Sequence, residues 1–324
     1  MLSGIQPTGD VHLGNYVGAI RHWVTDQHNH EALYCVVDLH SLSEPRPPAE
    51  VRSKTCEVAA ILLASGLDPD VCTLFVQSHV PEHTELYWLL SCVATVGELR
   101  RMTQFKSRSE ESESVTAGLF GYPVLQAADI LLYDADRVPV GSDQRQHLEL
   151  CRDIANRFNT RYGRTFTVPD AAVARVGAMV MDIQDPMKKM SKSRSSPQGR
   201  ILLLEPPESL TRKIKRAVTD NETEVRYDPV DKPGVSNLLE LLAVATGGSP
   251  TELAEKYTSY GELKSDTGQA LVEFLRPVHE RYEEIRGEPL WVEEVLRKGA
   301  DRARPIAAET LKRAREAMGL LPYS

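Results

Sequence analysis

The chain has 324 residues, of which 41% are hydrophobic and 26% are charged, and its formal net charge is −8 at pH 7. This composition is typical of a folded globular protein with one large or two moderate domains, and it excludes an intrinsically disordered chain. Because no apolar run could span a bilayer and the N-terminus MLSGIQPTGD lacks the features of a secretory signal, we expect a cytoplasmic protein with no membrane partner.

The first predicted feature is a turn-rich loop over residues 3–9, which follows a very short strand. From about His12 onward, apolar residues between Leu13 and Ile20 recur at helical spacing. Gly14 lets another group approach the backbone of this helix closely, and a glycine-bearing turn that enters a helix favours phosphate binding. The stretch matches neither the GxGxxG nor the GxxxxGK[ST] pattern, which argues against a dinucleotide-binding motif and a P-loop.

Strands and helices alternate through residues 1–199. Strands are predicted over 32–38, 73–80 and 137–141, and one intervening helix is expected to end at Gly66. This alternation predicts an α/β fold with a doubly wound, Rossmann-like parallel sheet covered on both faces. Ligands of such a fold bind at the carboxyl ends of the strands.

The stretch YPVLQAADILLY is predicted to be helical over residues 124–132. Helical spacing divides it into two stripes. The apolar stripe consists of Leu125, Ala128 and Leu132. The second stripe has polar head groups and consists of Tyr122, Gln126, Asp129 and Tyr133. A carboxylate on an apolar face is costly unless it accepts hydrogen bonds. Asp129 could therefore receive an N–H from a ligand, cap a neighbouring element or pair with a cation such as Arg145.

The stretch DPMKKMSKSRSSPQG concentrates positive charge in an acidic chain. Lys188, Lys189, Lys192 and Arg194 fall within seven residues. Most charge runs are solvated surface segments, and the alternative is a clamp for a polyanion. Its richness in serine, lysine and glycine favours a loop.

After Gly199 the sequence predicts a smaller, all-helical domain. The stretch SPTE predicts a capping box at Ser249 with Pro250 at the first helical position. Pro277 and Pro305 are expected to kink or divide their helices.

Two stretches of this half, RKIKR at 212–216 and LKRARE at 311–316, are basic. Each alone is more typical of a solvated helix face than of a nucleic-acid site.

Cysteines and histidines predict no metal site. The five cysteines are widely spaced and lack a CxxC pair, so buried, reduced thiols are expected. The pairs His28 with His30 and His79 with His83 lack a third ligand at suitable spacing. Surface or capping roles are expected for these histidines.

The segments HLGN (12–15) and KMSKS (189–193) resemble the two signatures of class I aminoacyl-tRNA synthetases. Further stretches, in order, resemble the tryptophan–tRNA ligase family of bacterial and mitochondrial type over essentially the whole chain: SGIQPTG, VDLHS, RMTQFK, YPVLQAADILLY, AVTD and PGVSN. The resemblance implies ATP-dependent attachment of L-tryptophan to its tRNA through a tryptophanyl-adenylate. It also implies ATP with Mg²⁺ as substrate, no tightly bound cofactor, and a homodimer. A tyrosine–tRNA ligase, a tRNA-independent nucleotidyltransferase and a relative that has lost ligation are the alternative interpretations.

The resemblance also implies roles for individual residues. Catalytic residues would be His12, Asn15, Lys189, Lys192 and Arg108, the last standing where the family often has lysine. ATP-binding residues would be Gln6, Pro7, Thr8, Gly14, Asn15, Gly141, Ser142, Asp143, Val180, Lys189, Met190, Ser191, Lys192 and Ser193. Tryptophan-binding residues would be Asp129, Tyr122, Gln144, Gln126, His40 and Gln6. No protein metal site is implied, since the ATP phosphates would hold most of the Mg²⁺ coordination.

The implied domains are a Rossmann-like ATP- and tryptophan-binding catalytic domain over 1–199 and an α-helical anticodon-binding domain over 200–299. A C-terminal helix over about 300–324 is expected to pack back on the catalytic domain.

Overall fold

A computed structural model of the chain describes residues 1–110, 115–135, 137–140, 144–173, 180–191 and 195–322. Strands β1 (Leu2–Ile5), β2 (Leu33–Val36) and β3 (Thr73–Val76) form a parallel sheet in the order β1-β2-β3. Strands β4 (Arg137–Val140) and β5 (Asp170–Val173) form a second parallel pair, and β4 lies beside β1. The spatial order is therefore β3-β2-β1-β4-β5, with the chain wound outward in both directions from β1. The predicted doubly wound parallel fold is confirmed.

The N-terminal stretch differs from the prediction at its start, because residues 3–5 belong to β1 rather than to a loop. Strand β1 has only four residues, of which Leu2 alone is buried. A strand this short shows no clear hydrophobic alternation in the sequence. The predicted helix follows as α1 (Leu13–Asn15), a π-helical turn over Tyr16–Ile20 and α2 (Arg21–Asp26).

Helices connect the strands of the α/β half. They are α3 (Asp38–Ser41), α4 (Pro48–Ala64), α5 (Glu82–Ser91), α6 (Val96–Arg101), α7 (Thr103–Glu110), α8 (Ala117–Leu131) and α9 (Arg145–Tyr162). Gly66 follows the end of α4 with a φ of +112°, which confirms the predicted glycine at this helix end. The strands predicted over 32–38 and 73–80 are shorter than expected, because α3 begins at Asp38 and a 3₁₀ turn at Gln77.

Helix α8 begins well before residue 124, where the sequence predicted its start. Its buried face is centred on Val124, Ala128 and Leu132, whereas Leu125 is partly exposed. The predicted apolar stripe is therefore wrong at Leu125. Ala128 and Leu132 are buried as predicted, and Val124 takes the core position expected for Leu125.

The second half of the described chain is helical, with α10 (Pro207–Lys215), α11 (Pro233–Thr246), α12 (Pro250–Ala254), α13 (Tyr260–Arg286) and α14 (Pro289–Ala317). Pro277 and Pro305 lie inside α13 and α14, so the expectation that they divide these helices is wrong. Both prolines are exposed, and a carbonyl left without its helical partner on that face can bond to water. Pro250 begins α12 as predicted, but the Ser249 side chain makes no capping hydrogen bond. Within the described ranges, no helix is long and apolar enough to cross a membrane.

The cysteines only partly follow the prediction. Cys35, Cys72 and Cys151 are buried free thiols, whereas Cys56 and Cys92 are exposed. Burial raises the pKa of the Cys35 thiol well above its ordinary value, so that this group stays protonated at neutral pH.

The helical half shares its core with the α/β half. One hydrophobic cluster runs from Leu13 in α1 and Leu62 in α4 to Leu239 in α11 and Leu271 in α13. Helix α14 lies against β3, which is the edge strand of its sheet. The contact is so close that a Cβ on Gly299 would lie 1.8 Å from the carbonyl oxygen of Leu74. Helix α14 therefore covers an edge that would otherwise offer free backbone groups.

Replacing Gly299 with alanine is expected to destabilise the protein by about 1–3 kcal/mol, because the new methyl group cannot fit without moving α14 away from β3. Chemical denaturation of the purified variant measures this loss. Gly261→Ala, in the first turn of α13, is the control, since a Cβ there meets only the Ser259 hydroxyl, 4.0 Å away. That substitution should be neutral or slightly stabilising, and an equal loss in both variants would contradict the packing explanation.

Candidate active site

A cleft of about 490 Å³ runs along β1 and past the carboxyl ends of β1 and β2. This is the place where the strand order reverses, and therefore where a doubly wound sheet binds its ligands. The predicted site residues that line it are Gln6, Thr8, Gly14, Asn15, His40, Tyr122, Gln126, Asp129, Gln144 and Lys189. Segments far apart in the chain thus meet in one cavity.

Other predicted residues do not line the cleft or fall outside the described ranges. Those that are described but do not line the cleft are Pro7, His12, Val180, Met190 and Ser191. Those outside the described residues are Gly141, Ser142, Asp143, Lys192 and Ser193, together with the side chain of Arg108.

The start of α1 forms one wall of the cleft. The backbone N–H of His12 donates to Asn15 Oδ1 at 3.2 Å, which orients the Asn15 side chain and leaves its NH₂ group as a donor. The His12 side chain is buried and lies against Gly14, where a Cβ would come within 3.0 Å of the imidazole ring. Gly14 therefore lets the imidazole pack directly beneath the helix start.

Opposite α1, the basic loop forms a hairpin. The N–H of Met190 donates to the Val180 carbonyl at 3.0 Å, and the N–H of Asp182 donates to the Lys188 carbonyl at 2.8 Å. Met190 is buried, while Lys189 lines the cleft. Lys188 instead forms an exposed ion pair with Asp185 at 2.7 Å. The two adjacent lysines therefore have different environments, and only Lys189 serves the cleft.

The base of this hairpin is held by two polar side chains. Asp182 Oδ1 accepts hydrogen bonds from the N–H groups of Gln184 and Asp185, at 2.7 and 3.1 Å. From α11, the Asn237 side chain accepts from the N–H of Met181 and donates to its carbonyl, both at 3.3 Å. Asn237 thus makes the two backbone hydrogen bonds with Met181 that a neighbouring strand would make. No local pattern predicted a role for Asn237, although it ends PGVSN, one of the stretches that carry the resemblance.

For the ATP-dependent activity that the resemblance implies, Asn237→Ala is expected to lower the rate by roughly tenfold, because losing two hydrogen bonds of about 1 kcal/mol each loosens the hairpin that carries Lys189. The rate of ATP–pyrophosphate exchange at subsaturating ATP measures this effect. The matched control is Ser236→Ala, since Ser236 is also buried but its Oγ accepts from the N–H of Asp228, away from the hairpin. If both variants lose activity equally, Asn237 acts only through general stability.

Asp129 lies on the opposite wall, on α8, and is 6% exposed. Its Oδ2 is 2.7 Å from His40 Nε2, and its Oδ1 accepts from Gln77 Nε2 at 2.6 Å and from His83 Nδ1 at 2.7 Å. Burial raises the pKa of the Asp129 carboxyl, but the interactions with His40 and His83 outweigh burial and hold this pKa below its usual value. The carboxylate is therefore ionised and well oriented in the cleft wall.

The surface or capping role expected for His83 is wrong, because this side chain is fully buried. Its ring joins Asp129 to the Tyr133 hydroxyl, which lies 2.8 Å from Nε2. Neither His83 nor Gln77 was predicted to belong to the site. Gln77 could have been found from its position, since it directly follows β3 and the carboxyl ends of parallel strands meet at the ligand site.

Polar side chains complete the wall around Asp129. The Tyr122 hydroxyl donates to Gln104 Oε1 at 3.0 Å and lies 2.8 Å from His147 Nε2. Gln126 Nε2 donates to Gln144 Oε1 at 3.2 Å. These paired groups offer both donors and acceptors to a small polar ligand.

A glycine-bearing helix start and a lysine-bearing hairpin face one cleft at the carboxyl ends of a parallel sheet, and the comparisons with known proteins place this arrangement among the class I aminoacyl-tRNA synthetases. The family model of the class I tRNA synthetases for tryptophan and tyrosine (W and Y) matches residues 1–276. A tryptophan–tRNA ligase of Streptomyces avermitilis is 53% identical over 327 residues, which cover 99% of this chain and 97% of that protein. The chain belongs to this family and, within it, to the tryptophan–tRNA ligases.

Solved structures agree over nearly the full length. The tryptophanyl-tRNA synthetase of Mycoplasma pneumoniae superposes with a TM-score of 0.91 at 35% identity, covering 99% of this chain and 97% of that one. The enzyme of Campylobacter jejuni, solved with ADP and tryptophan, gives a TM-score of 0.87 at 34% identity and covers 98% and 99% of the two chains.

Proposed function

We propose that the protein attaches L-tryptophan to its cognate tRNA in two steps at the cleft, with ATP as the energy source. The observation that carries this function is that a single cleft is lined by Lys189 and Asn15 and also by Asp129. The first two offer cationic and amide donors for a triphosphate, and the third offers an acceptor for an indole N–H. Activation of tryptophan by ATP needs both the donors for the triphosphate and the acceptor for the indole.

In the first step the tryptophan carboxylate attacks the α-phosphorus of ATP, so that pyrophosphate leaves and tryptophanyl-adenylate forms. The nucleophile is already anionic and needs no general base. Catalysis then depends on positioning and on stabilising charge on the phosphates. Lys189 and the Asn15 amide supply this charge stabilisation. In the second step a hydroxyl of the terminal adenosine of tRNA attacks the adenylate carbonyl, and AMP leaves.

The remaining predicted residues extend this nucleotide site. Those assigned to ATP besides Lys189 and Asn15 are Gln6, Pro7, Thr8, Gly14, Gly141, Ser142, Asp143, Val180, Met190, Ser191, Lys192 and Ser193, with Arg108 as a further contact to the triphosphate. The buried His12 supports the helix start from beneath and donates from its ring to a phosphate.

Tryptophan recognition rests on the indole N–H, which is a donor only and matches an ionised carboxylate. Asp129 accepts this bond, while His40, Gln77 and His83 hold its carboxylate in place. Tyr122, Gln126, Gln144 and Gln6 bind the amino and carboxylate groups of the substrate.

Mg²⁺ accompanies ATP as a counter-ion. The described residues contain no cluster of three or more His, Cys, Asp or Glu side chains that could hold a metal. A cation coordinated mainly by the triphosphate oxygens fits such a site.

We also propose the larger organisation. Residues 1–199 form the catalytic domain, 200–299 read the anticodon, and the last helix returns to the sheet, as its contact with β3 supports. The protein acts as a homodimer in the cytoplasm. Trp88 of α5, which is 66% exposed, supports an apolar subunit contact, and the free cysteines support a reducing compartment.

Amino-acid-dependent ATP–pyrophosphate exchange with each of the twenty standard amino acids tests the function. Tryptophan is expected to drive exchange far better than any other amino acid, and tRNA charging is expected to follow. Exchange driven by tyrosine would favour the tyrosine–tRNA ligase alternative. Exchange without charging of any tRNA would favour the tRNA-independent nucleotidyltransferase.

A further inference from the structure

The two basic stretches of the helical half have different environments. In LKRARE, Arg313 pairs with Asp134 and Arg315 pairs with Glu85. These two cations therefore fasten α14 to the α/β half and are not available to another molecule.

In RKIKR only one basic side chain turns inward. Lys213 pairs with the buried Glu205 at 2.6 Å and donates to the Arg200 carbonyl at 2.9 Å, next to the buried Ile214. The other three basic side chains point outward and form what we call the α10 basic face: Arg212, Lys215 and Arg216.

The α10 basic face carries an excess of positive charge. Lys215 and Arg216 follow Arg212 by three and four residues, so both lie beside it at the helix end. All three are exposed, and among the residues that the structure describes none of them forms an ion pair. Like charges at this spacing repel one another, and the favourable position of cations at a helix C-terminus offsets only part of that repulsion. An anionic partner would remove that repulsion.

The face borders a groove of about 740 Å³ between α10 and α13. Besides the three cations, Thr211 and Gln269 contribute polar groups to it. Two carboxylates also line the groove, namely Glu208 and Glu273, and Glu273 is neutralised by Arg276 of the same helix. The groove is open to solvent, which suits a solvated polyanion better than a small ligand that needs an enclosed pocket.

The C-terminal end of the face adjoins the base of the catalytic hairpin. Gln184 Nε2 donates to the Arg216 carbonyl at 3.0 Å, and the N–H of Val218 donates to the Ile183 carbonyl at 2.9 Å. A nucleic-acid strand whose end enters the cleft past Lys189 would therefore pass close to α10.

On the basis of the proposed tRNA-charging function, we infer that the α10 basic face binds the phosphate backbone of the tRNA. The protein as a whole carries a net charge of −8, so it repels RNA at long range and needs a local cationic surface to hold it. Arg212, Lys215 and Arg216 contact phosphates and leave the bases to be read elsewhere.

The test is the triple variant Arg212→Gln, Lys215→Gln and Arg216→Gln in the full chain, with the purified cognate tRNA as the probe. The Kd for tRNA at moderate salt should rise on the order of tenfold or more. The slope of log Kd against log salt should fall by about 2–3 units, since each lost phosphate contact removes about 0.7–0.9. Tryptophan-dependent ATP–pyrophosphate exchange should keep the parent rate.

The matched control removes the same net charge outside residues 200–299, with Arg52→Gln, Arg164→Gln and Lys312→Gln, which are also exposed. This control should keep the parent salt slope. An equal loss of tRNA affinity in both triple variants, or an unchanged Kd in the α10 variant, would overturn the inference. Failure of the proposed function is distinct, because the parent protein itself would then neither exchange pyrophosphate with tryptophan nor charge tRNA.

Discussion

Asp129→Asn is expected to weaken tryptophan binding and to destabilise the protein at the same time. The carboxylate accepts from three donors inside the protein, and an asparagine NH₂ would face one of them. Removing one partner from such a buried charged cluster costs about 3–5 kcal/mol of unfolding free energy. Loss of the bond to the indole N–H should raise the KM for tryptophan on the order of tenfold to a hundredfold, with little change in the KM for ATP.

Chemical denaturation and exchange kinetics separate the two effects of Asp129→Asn. Asp170→Asn is the control, since Asp170 pairs with Arg152 at the surface, where an ion pair contributes only about 0–1 kcal/mol.

The stability of the protein at acid pH offers a further check on Asp129. Because its folded pKa is lowered, Asp129 contributes stability above the ordinary carboxyl pKa and loses it as the pH falls through the folded value. The parent protein should therefore lose more stability than Asp129→Asn on acidification.

Lys189→Ala is expected to slow tryptophan-dependent pyrophosphate exchange on the order of 10²-fold, because it removes a cation that stabilises charge on the phosphates in the transition state. Its side chain is exposed within the cleft, so the unfolding free energy should stay close to that of the parent. Single-turnover formation of the adenylate measures the chemical step directly.

The adjacent lysine provides a sharp control for this variant. Lys188 differs from Lys189 by one position but pairs with Asp185 on the far side of the hairpin. Lys188→Ala should therefore exchange pyrophosphate at nearly the parent rate. Equal losses in the two variants would mean that the positive charge of the loop matters, rather than the placement of one side chain.

The local features of the fold were the most predictable. The parallel strands, the glycine after α4 and the helix start at HLGN depend on residues close together in the chain, and periodicity or turn chemistry shows them. The position of Pro277 and Pro305 in continuous helices was not predictable, because it depends on which side of the helix faces solvent.

The environment of Asp129 was predictable only in part. Its helical position beside an apolar stripe indicated that the carboxylate needs a donor. The donors Gln77 and His83 are 52 and 46 residues away in the chain, and no local pattern connects them to Asp129. The position of Gln77 directly after β3 places it at the ligand site, but tertiary packing decides which side chain it meets there.

The contact between α14 and β3 has a consequence for how the protein is made. Roughly two hundred residues separate the two elements, and translation at about 5–20 residues per second takes tens of seconds at the slow end to cross that distance. During this time the nascent chain exposes the edge of β3, which can pair with other strands. Complete folding has to wait until the last helix leaves the ribosome. A message truncated before α14 would therefore yield an aggregation-prone chain, even though every cleft residue had already been translated.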